Sequence, residues 1–398
     1  MLRALISRRE AIAWLAAFLI VAVVLVRTGF ESTDPDSALY AALSERLAER
    51  PVSEWVVPSW WGLWDGAGLF REHPVGVLVA PAALGAFGVP ARQAAYVTGT
   101  AYGLVALLLI GGLVARLGSP REGRWALVLL QLMPVAFVFR IRANHEYPML
   151  VCLLVALIGV DGVRRSWRWL PVLPLALTAA LLIKGVFVVL VLLAAGVWMV
   201  TNPTREPAGW RRPLVAGLVG MVLMALTALA YDAAYERVAG ETFWAPYWQR
   251  QLAPLTIATP LDGSSVLLDH VVFYVGLIAW HPAPWSLALV LALWRGKGGP
   301  SERWQALAAS ERRGLIFALS FAAAAILLLS PSSRFAERYA FSATYAVGTA
   351  GAVVALRGWP WLARGLERLD ATVPALPAAV WLTLMLLRLA VGETLPRV

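Results

Sequence analysis

The chain has 398 residues, a formal net charge of +10, 60% hydrophobic and 15% charged residues, and a mean hydropathy of +0.70. Soluble domains run about 45–50% apolar and about 25% charged, so a soluble fold is excluded, as are disorder, coiled coil and collagen. A polytopic all-α membrane protein remains. The excess of arginine reports topology in such a chain rather than nucleic-acid binding. The single Cys152 cannot form an internal disulfide, and four histidines without a C-x-x-C or H-E-x-x-H pattern leave little for a metal site.

A membrane-crossing helix needs about 20 mostly apolar residues. Runs of that kind fall near 11–29, 95–115, 125–141, 147–163, 169–183, 185–201, 213–233, 266–294, 314–330, 339–356 and 372–391. That predicts about 11 transmembrane helices in one polytopic domain over 1–398. The first run follows Arg3, Arg8 and Arg9 and lacks a small-residue cleavage site, so it reads as an uncleaved anchor. With a cytoplasmic N-terminus, the loops with Arg116/Arg121/Arg124, Arg164/Arg165/Arg168, Arg205/Arg211/Arg212, Arg295/Lys297/Arg303/Arg312/Arg313 and Arg357/Arg364/Arg368 all fall inside, as the positive-inside rule requires. Residues 74–88 are apolar but too short to span. Counting them would put every later loop on the wrong side, so they read as a helix on, or dipping into, the outer face.

Two external loops stand out. Residues 30–94 are predominantly acidic and hold amphipathic juxtamembrane helices. Asp34-Pro35 reads as an N-cap followed by proline at the first helical position. Leu39, Leu43 and Leu47 then form one apolar stripe, which predicts a helix lying in the interface plane. Asp36 sits in its first turn, where the helix dipole favours a carboxylate. Residues 234–265 form the second loop; most of its aromatics (Phe243, Trp244, Tyr247, Trp248) read as an interface belt. No internal repeat of the kind found in transporters is visible.

Ionisable residues near the hydrocarbon are costly and usually functional. Here they gather at the outer ends of spans: Asp34, Asp36, Glu72, His73, Arg140, Arg142, His145, Glu146, Lys184, Arg250, Arg334, Glu337 and Arg338. Lys184 sits in LLIKGVFVV between two apolar runs, either snorkelling at a helix end or holding an anion. Glu337 between Arg334 and Arg338 reads equally as a local ion pair. Arginine and lysine are the residues that hold phosphate, and an acid within reach can take a proton from a hydroxyl. The expectation is that these residues converge into one wet pocket at the outer boundary, suited to a phosphate-linked lipid substrate.

Five stretches then carry a resemblance. DSALYAALSERLAE (36–49) resembles a D-E-x-x-Y helix, with Asp36 on the acid, Tyr40 on the tyrosine and Ser37 in place of the second acid. FREHPVGVL (70–78) resembles F-x-E-K-P-P, with His73 in place of lysine. RIRANHEYPMLV (140–151) resembles an outer loop in which Glu146 replaces an aspartate. LLIKGVFVVLVLL (181–193) resembles a T-K-G-P segment, with Lys184 on the lysine. SPSSRFAERYAFSATYA (330–346) resembles S-x-x-K-R-x-Y-Y and places Arg338 before Tyr339. Together they resemble the glycosyltransferase C superfamily, in particular bacterial relatives of protein O-mannosyltransferases and of the lipid A aminoarabinose transferase.

The resemblance implies a glycosyltransferase of the bacterial plasma (inner) membrane. It would move a sugar from a polyprenyl-phosphate donor to a hydroxyl (or phosphate) acceptor on a glycolipid, lipopolysaccharide or protein at the periplasmic face, with inversion. Asp36 would be the catalytic base. Lys184, Arg338 and Arg334 would bind donor phosphate; Tyr40, His73, Glu146, Arg140 and Arg142 would contact substrate. No cofactor is required, although Asp36 and Glu146 are the pair that could hold a divalent metal. The rivals are a transporter or flippase for a lipid-linked sugar or organic anion, and a structural subunit whose charges only pair with each other.

Overall fold

The computed structural model describes residues 6–59, 68–203, 208–251, 266–294, 307–332 and 336–392. Apart from one isolated bridge between Ser59 and Leu69, the described residues form helices and their connections. The α-helices in chain order are α1 (Arg8–Arg27), α2 (Pro35–Ala48), α3 (Gly76–Ala86), α4 (Ala91–Leu117), α5 (Pro120–Leu129), α6 (Pro134–Val138), α7 (Glu146–Arg165), α8 (Val172–Lys184), α9 (Val188–Thr201), α10 (Ala208–Ala239), α11 (Trp244–Gln251), α12 (Val266–Trp280), α13 (Trp285–Trp294), α14 (Ala309–Leu329), α15 (Phe341–Gly358), α16 (Pro360–Thr372) and α17 (Leu376–Val391).

Among the described residues, seven helical runs are long and apolar enough to cross a membrane, and nine if each of two bent pairs is one span. The expected eleven is not reached, for local reasons. The run at 125–141 is interrupted at Pro134, which cannot continue a hydrogen-bonded helix, and becomes α5, a 3-10 turn and the short α6. The run at 266–294 bends by 91° between α12 and α13, across His281-Pro282-Ala283-Pro284. The helical run Trp167–Thr201 counts once by length, yet it folds back at Lys184-Gly185. Lys184 meets Glu146 at the start of α7, while Met199 and Asn202 meet Arg164 at its end. Gly185 has φ +56, a left-handed conformation that glycine adopts without penalty.

The main core is one continuous apolar cluster to which α1, α4, α5, α7, α8, α9, α14, α15 and α17 contribute. A smaller cluster caps one end. There Leu39, Leu43 and Leu47 pack with Phe70, Leu78, Tyr231, Tyr235, Phe243 and Tyr247. The leucine stripe of α2 is therefore buried in protein and is held by packing rather than by the membrane interface. Phe243 and Tyr247 are likewise core residues of this cap and not a belt; Trp248 alone of the pair Tyr247-Trp248 is exposed. Helix α10 has 32 residues, about 48 Å at 1.5 Å per residue. It outruns a hydrocarbon layer of about 30 Å, and its last turns carry Tyr231 and Tyr235 into the cap.

Charges sort to the two ends of the bundle. One end holds Glu10, Arg124 and Asp370, then Glu122, Arg357 and Glu311, then Arg116, Asp161 and Arg164. The capped end holds Asp34, Asp36, Arg142, Glu146, Lys184, Glu337 and Arg338.

Candidate active site

Helix α2 begins as its sequence dictates. Asp34 caps it, accepting hydrogen bonds from the Ser37 backbone N–H (3.1 Å) and hydroxyl (2.8 Å), with Pro35 at the first position. Asp36, one residue on, pairs with Arg338 from the 3-10 turn Glu337–Ala340. Arg142 lies between two carboxylates, 3.7 Å from Asp34 and 3.6 Å from Glu337, over the Phe139 ring at 4.3 Å. Glu337 is thus paired across the fold with Arg142 rather than only with its sequence neighbours. These groups line an open cavity with an empty volume of about 1320 Å³ including its mouth. Its other polar walls include Thr33, Asn144, His281 and Arg388.

Lys184 closes α8. The Tyr247 hydroxyl accepts the Val186 N–H at 2.8 Å and donates to the Lys184 carbonyl at 3.4 Å. A Cβ on Gly185 would collide with that hydroxyl. The turn is therefore locked from the cap. The Lys184 ammonium donates to Glu146 Oε1 at 2.8 Å, with Lys184 only 4% and Glu146 only 3% exposed. Glu146 stands in the first turn of α7, where the helix dipole favours a carboxylate. Its second oxygen has no hydrogen-bond partner among the described residues. A small cavity, with an empty volume of about 330 Å³ including its mouth, is lined by Glu146, Lys184, Phe187, Arg338, Tyr339 and Phe341.

The expected single pocket is thus two adjoining spaces, and Arg338 is a wall of both.

Behind the Lys184–Glu146 pair lies a closed aromatic layer. The ring centroids of Tyr40 and His145 are 4.4 Å apart, as are those of His73 and His145. Burial first, and then the Lys184 charge, pull the His73 imidazole down to about 3. His73 is therefore neutral near pH 7 and cannot stand in for a phosphate-binding lysine; it offers a neutral ring N–H. Burial, then the Glu146 carboxylate, push the Tyr40 phenol well above its ordinary range. Among the described residues, His73 Nδ1, His145 Nε2 and Asn144 Oδ1 have no hydrogen-bond partner.

One candidate is not brought to this cluster. Arg140 is buried, donates to the Gln131 carbonyl at 2.9 Å, and lines a separate small cavity with Tyr147 and Tyr345. Arg334 lies outside the described residues. Asp36 and Glu146 do not meet; each is paired with its own cation, and no group of three or more potential metal ligands is present among the described residues.

Sequence reasoning passed over Tyr247, Asn144, His281 and Arg388. Signals existed for two of them: Arg388 is a charge inside the apolar run LMLLRLAV, and His281 interrupts another run beside two prolines.

The family model for dolichyl-phosphate-mannose-protein mannosyltransferases matches residues 71–231, the stretch carrying His73, Arg142, Glu146 and Lys184. The structure of ArnT from Cupriavidus metallidurans bound to undecaprenyl phosphate superposes with a TM-score of 0.64, covering 96% of this chain and 76% of that one at 18% identity. The chain thus shares the fold of that structure. ArnT in the apo state superposes with a TM-score of 0.62 at the same identity and coverage. The Archaeoglobus fulgidus oligosaccharyltransferase, in complex with Zn and sulfate, shares the fold more distantly: TM-score 0.53, 14% identity, 94% of this chain and 53% of that one. A comparison with curated protein sequences finds no match. The candidate site lies where α2, the loop before α3, the starts of α7 and α15 and the end of α8 converge.

Proposed function

We propose that this protein is a membrane glycosyltransferase that takes a sugar from a polyprenyl-phosphate donor and transfers it, with inversion, to a hydroxyl of a glycolipid, lipopolysaccharide or protein. The observation that carries the reading is the placement of Arg338 between Asp36 on one side and the Lys184–Glu146 pair on the other. One cation then borders both a carboxylate in a sugar-sized open cavity and a second, buried cation.

In the proposed step the acceptor oxygen attacks the anomeric carbon from the open cavity. Asp36 takes the hydroxyl proton as the new C–O bond forms. The bond from the anomeric carbon to the phosphate oxygen breaks, and the lipid phosphate leaves with its electron pair, its charge met by Lys184 and Arg338. Arg142, between Asp34 and Glu337, positions the acceptor. Much of the rate effect would come from holding the two substrates in line. Tyr40, His73 and Glu146 shape the donor side. The arrangement calls for no cofactor.

The same reading puts the site on the external, periplasmic face of a bacterial inner membrane with a cytoplasmic N-terminus. It is supported by the arginines that collect at the opposite end of the bundle.

The test is incubation of the purified protein with a labelled polyprenyl-phosphate sugar and candidate acceptors. Released lipid phosphate with a new glycoconjugate is the expected result. A donor bound and recovered intact would identify a carrier instead.

A further inference from the structure

Helices α4, α7, α15 and α17 and the turn between α5 and α6 surround a small space apart from the candidate site, with an empty volume of about 320 Å³ including its mouth. Leu107, Leu130 and Trp381 give it apolar walls. Arg140 also lines it and is only 6% exposed. Its guanidinium donates to the Gln131 carbonyl at 2.9 Å, and among the described residues no carboxylate pairs with it. Two residues on, Arg142 has two carboxylates beside it. A guanidinium holds its proton at any pH a cell meets, so Arg140 cannot shed its charge. A buried charge is costly unless it is paired, and a carbonyl supplies only a partial one.

The hydrogen bonds lean the same way. Among the described residues, Arg140 Nε and Thr100 Oγ1 on these walls have no partner. The Tyr147 and Tyr345 hydroxyls bond each other at 2.9 Å. Only one of their two protons lies between them, so the accepting hydroxyl has a proton to give. Gln131 Oε1 is the unpartnered group that can only accept; its amide nitrogen is committed to the Leu127 and Pro377 carbonyls at 2.6 and 3.2 Å. Three spare donors and a full positive charge face one obligate acceptor. A water molecule alone does not balance that set, because it brings two protons and no charge.

We propose that this cavity binds a small monovalent anion of the size and charge of chloride. It is held by Arg140 Nε, the Thr100 hydroxyl and one hydroxyl of the Tyr147–Tyr345 pair, with a water between it and Gln131 Oε1. Apolar walls and a single guanidinium suit one negative charge; a phosphate would leave charge uncompensated. The anion braces the candidate site from behind. Segment 140–145 sends Arg142 into the large cavity and runs into Glu146, the partner of Lys184. It lies so close to α4 that a Cβ on Gly99 would collide with the Arg142 carbonyl. An anion gripped by Arg140, Thr100 and the tyrosines ties the segment to α4 and α15.

The test follows the melting temperature of the full-length protein in detergent as chloride replaces gluconate at constant ionic strength. Chloride is expected to raise it along a saturating curve, by about 3–5 °C at a hundred-fold excess over half-saturation. Bromide should act alike and give an anomalous-scattering peak beside Arg140 Nε in crystals grown with it. Thr100→Val keeps charge and volume but removes one donor, so half-saturation should move to about ten-fold more chloride. Arg140→Met should abolish the response.

A wild-type melting temperature indifferent to the exchange overturns the proposal. So does a response that Thr100→Val and Arg140→Met retain unchanged, which would mark a general salt effect. If Arg140→Met does not fold, Thr100→Val decides alone, and an unshifted half-saturation removes the site.

Discussion

The two ends of this helical bundle are built from the same parts, arginine or lysine paired with carboxylates from distant segments, and they leave different things over. At the Arg124 end the pairs tie helices together, and Arg124 Nε and Trp125 Nε1 are the unpartnered atoms beside them among the described residues. Arg124 holds Glu10 of α1 and, at 2.6 Å, Asp370 of α16. The Arg164 guanidinium donates to the carbonyls of Met199, Asn202 and Gly209 where α9 and α10 meet the end of α7. At the Lys184 end the pairs face cavities. Glu146 keeps a buried oxygen without a partner, and His73, His145 and Asn144 each keep one unpartnered ring or amide atom among the described residues. A buried polar atom left unbonded costs about 1–3 kcal/mol, and a fold accepts several in one place where a ligand will meet them. Charges that close on each other stabilise a bundle; charges that close incompletely around a space prepare it for a substrate.

That contrast can be broken by mutation. The largest effect should come from Asp36→Asn, which removes the proton acceptor while keeping the shape. Turnover should fall by roughly 10²–10⁴-fold or more with membrane insertion unchanged, and near-normal turnover would refute the assigned base. Next is Lys184→Ala. It strands Glu146 as a buried charge, at about 3–5 kcal/mol of stability, and it weakens donor use. The double variant Lys184→Ala/Glu146→Gln should recover most of the melting temperature but none of the donor affinity; recovery of both would make the pair purely structural.

At the other end, Arg124→Gln should cost about 1–2 kcal/mol, since its pairs are partly screened by solvent, and leave turnover per folded molecule unaltered. A changed KM for donor there would erase the distinction between the ends. The smallest effect concerns pH. His73 titrates at about 3 in the fold against about 6.5 when unfolded, so the unfolded chain takes up the proton first as pH falls. The contribution of a neutral His73 is complete above about pH 6.5 and is lost progressively from there toward pH 3. His73→Asn should flatten the fall in melting temperature between pH 6.5 and 4.5 by about 2–4 °C. An unchanged acid limb would mean that the imidazole is not held neutral.

Much of this was legible in the amino-acid order because it depends on short-range rules. The cap-and-proline start of α2, the apolar runs and the sorting of arginines between loops all follow from local chemistry and from the demands of a bilayer. Lys184 and Arg388 announce themselves as charges in apolar stretches. The count of spans was less legible, because Pro134 and the 281–284 segment break runs that hydropathy alone reads as continuous.

Pairing belongs to the tertiary structure. Glu337 lies between two arginines in the sequence, and the structure brings it a third, Arg142, from a distant loop. Arg140 and Arg142 are two residues apart, yet one lines a small cavity with Tyr147 and Tyr345 and the other the large cavity of Asp36. Whether the leucine stripe of α2 meets lipid or protein was decided by the aromatic cap from α10 and α11, nearly 200 residues away. Composition and periodicity determine that a segment must bury one face and that a charge needs a partner. They carry no information about which distant surface or counter-charge arrives, since that depends on how all the helices pack at once.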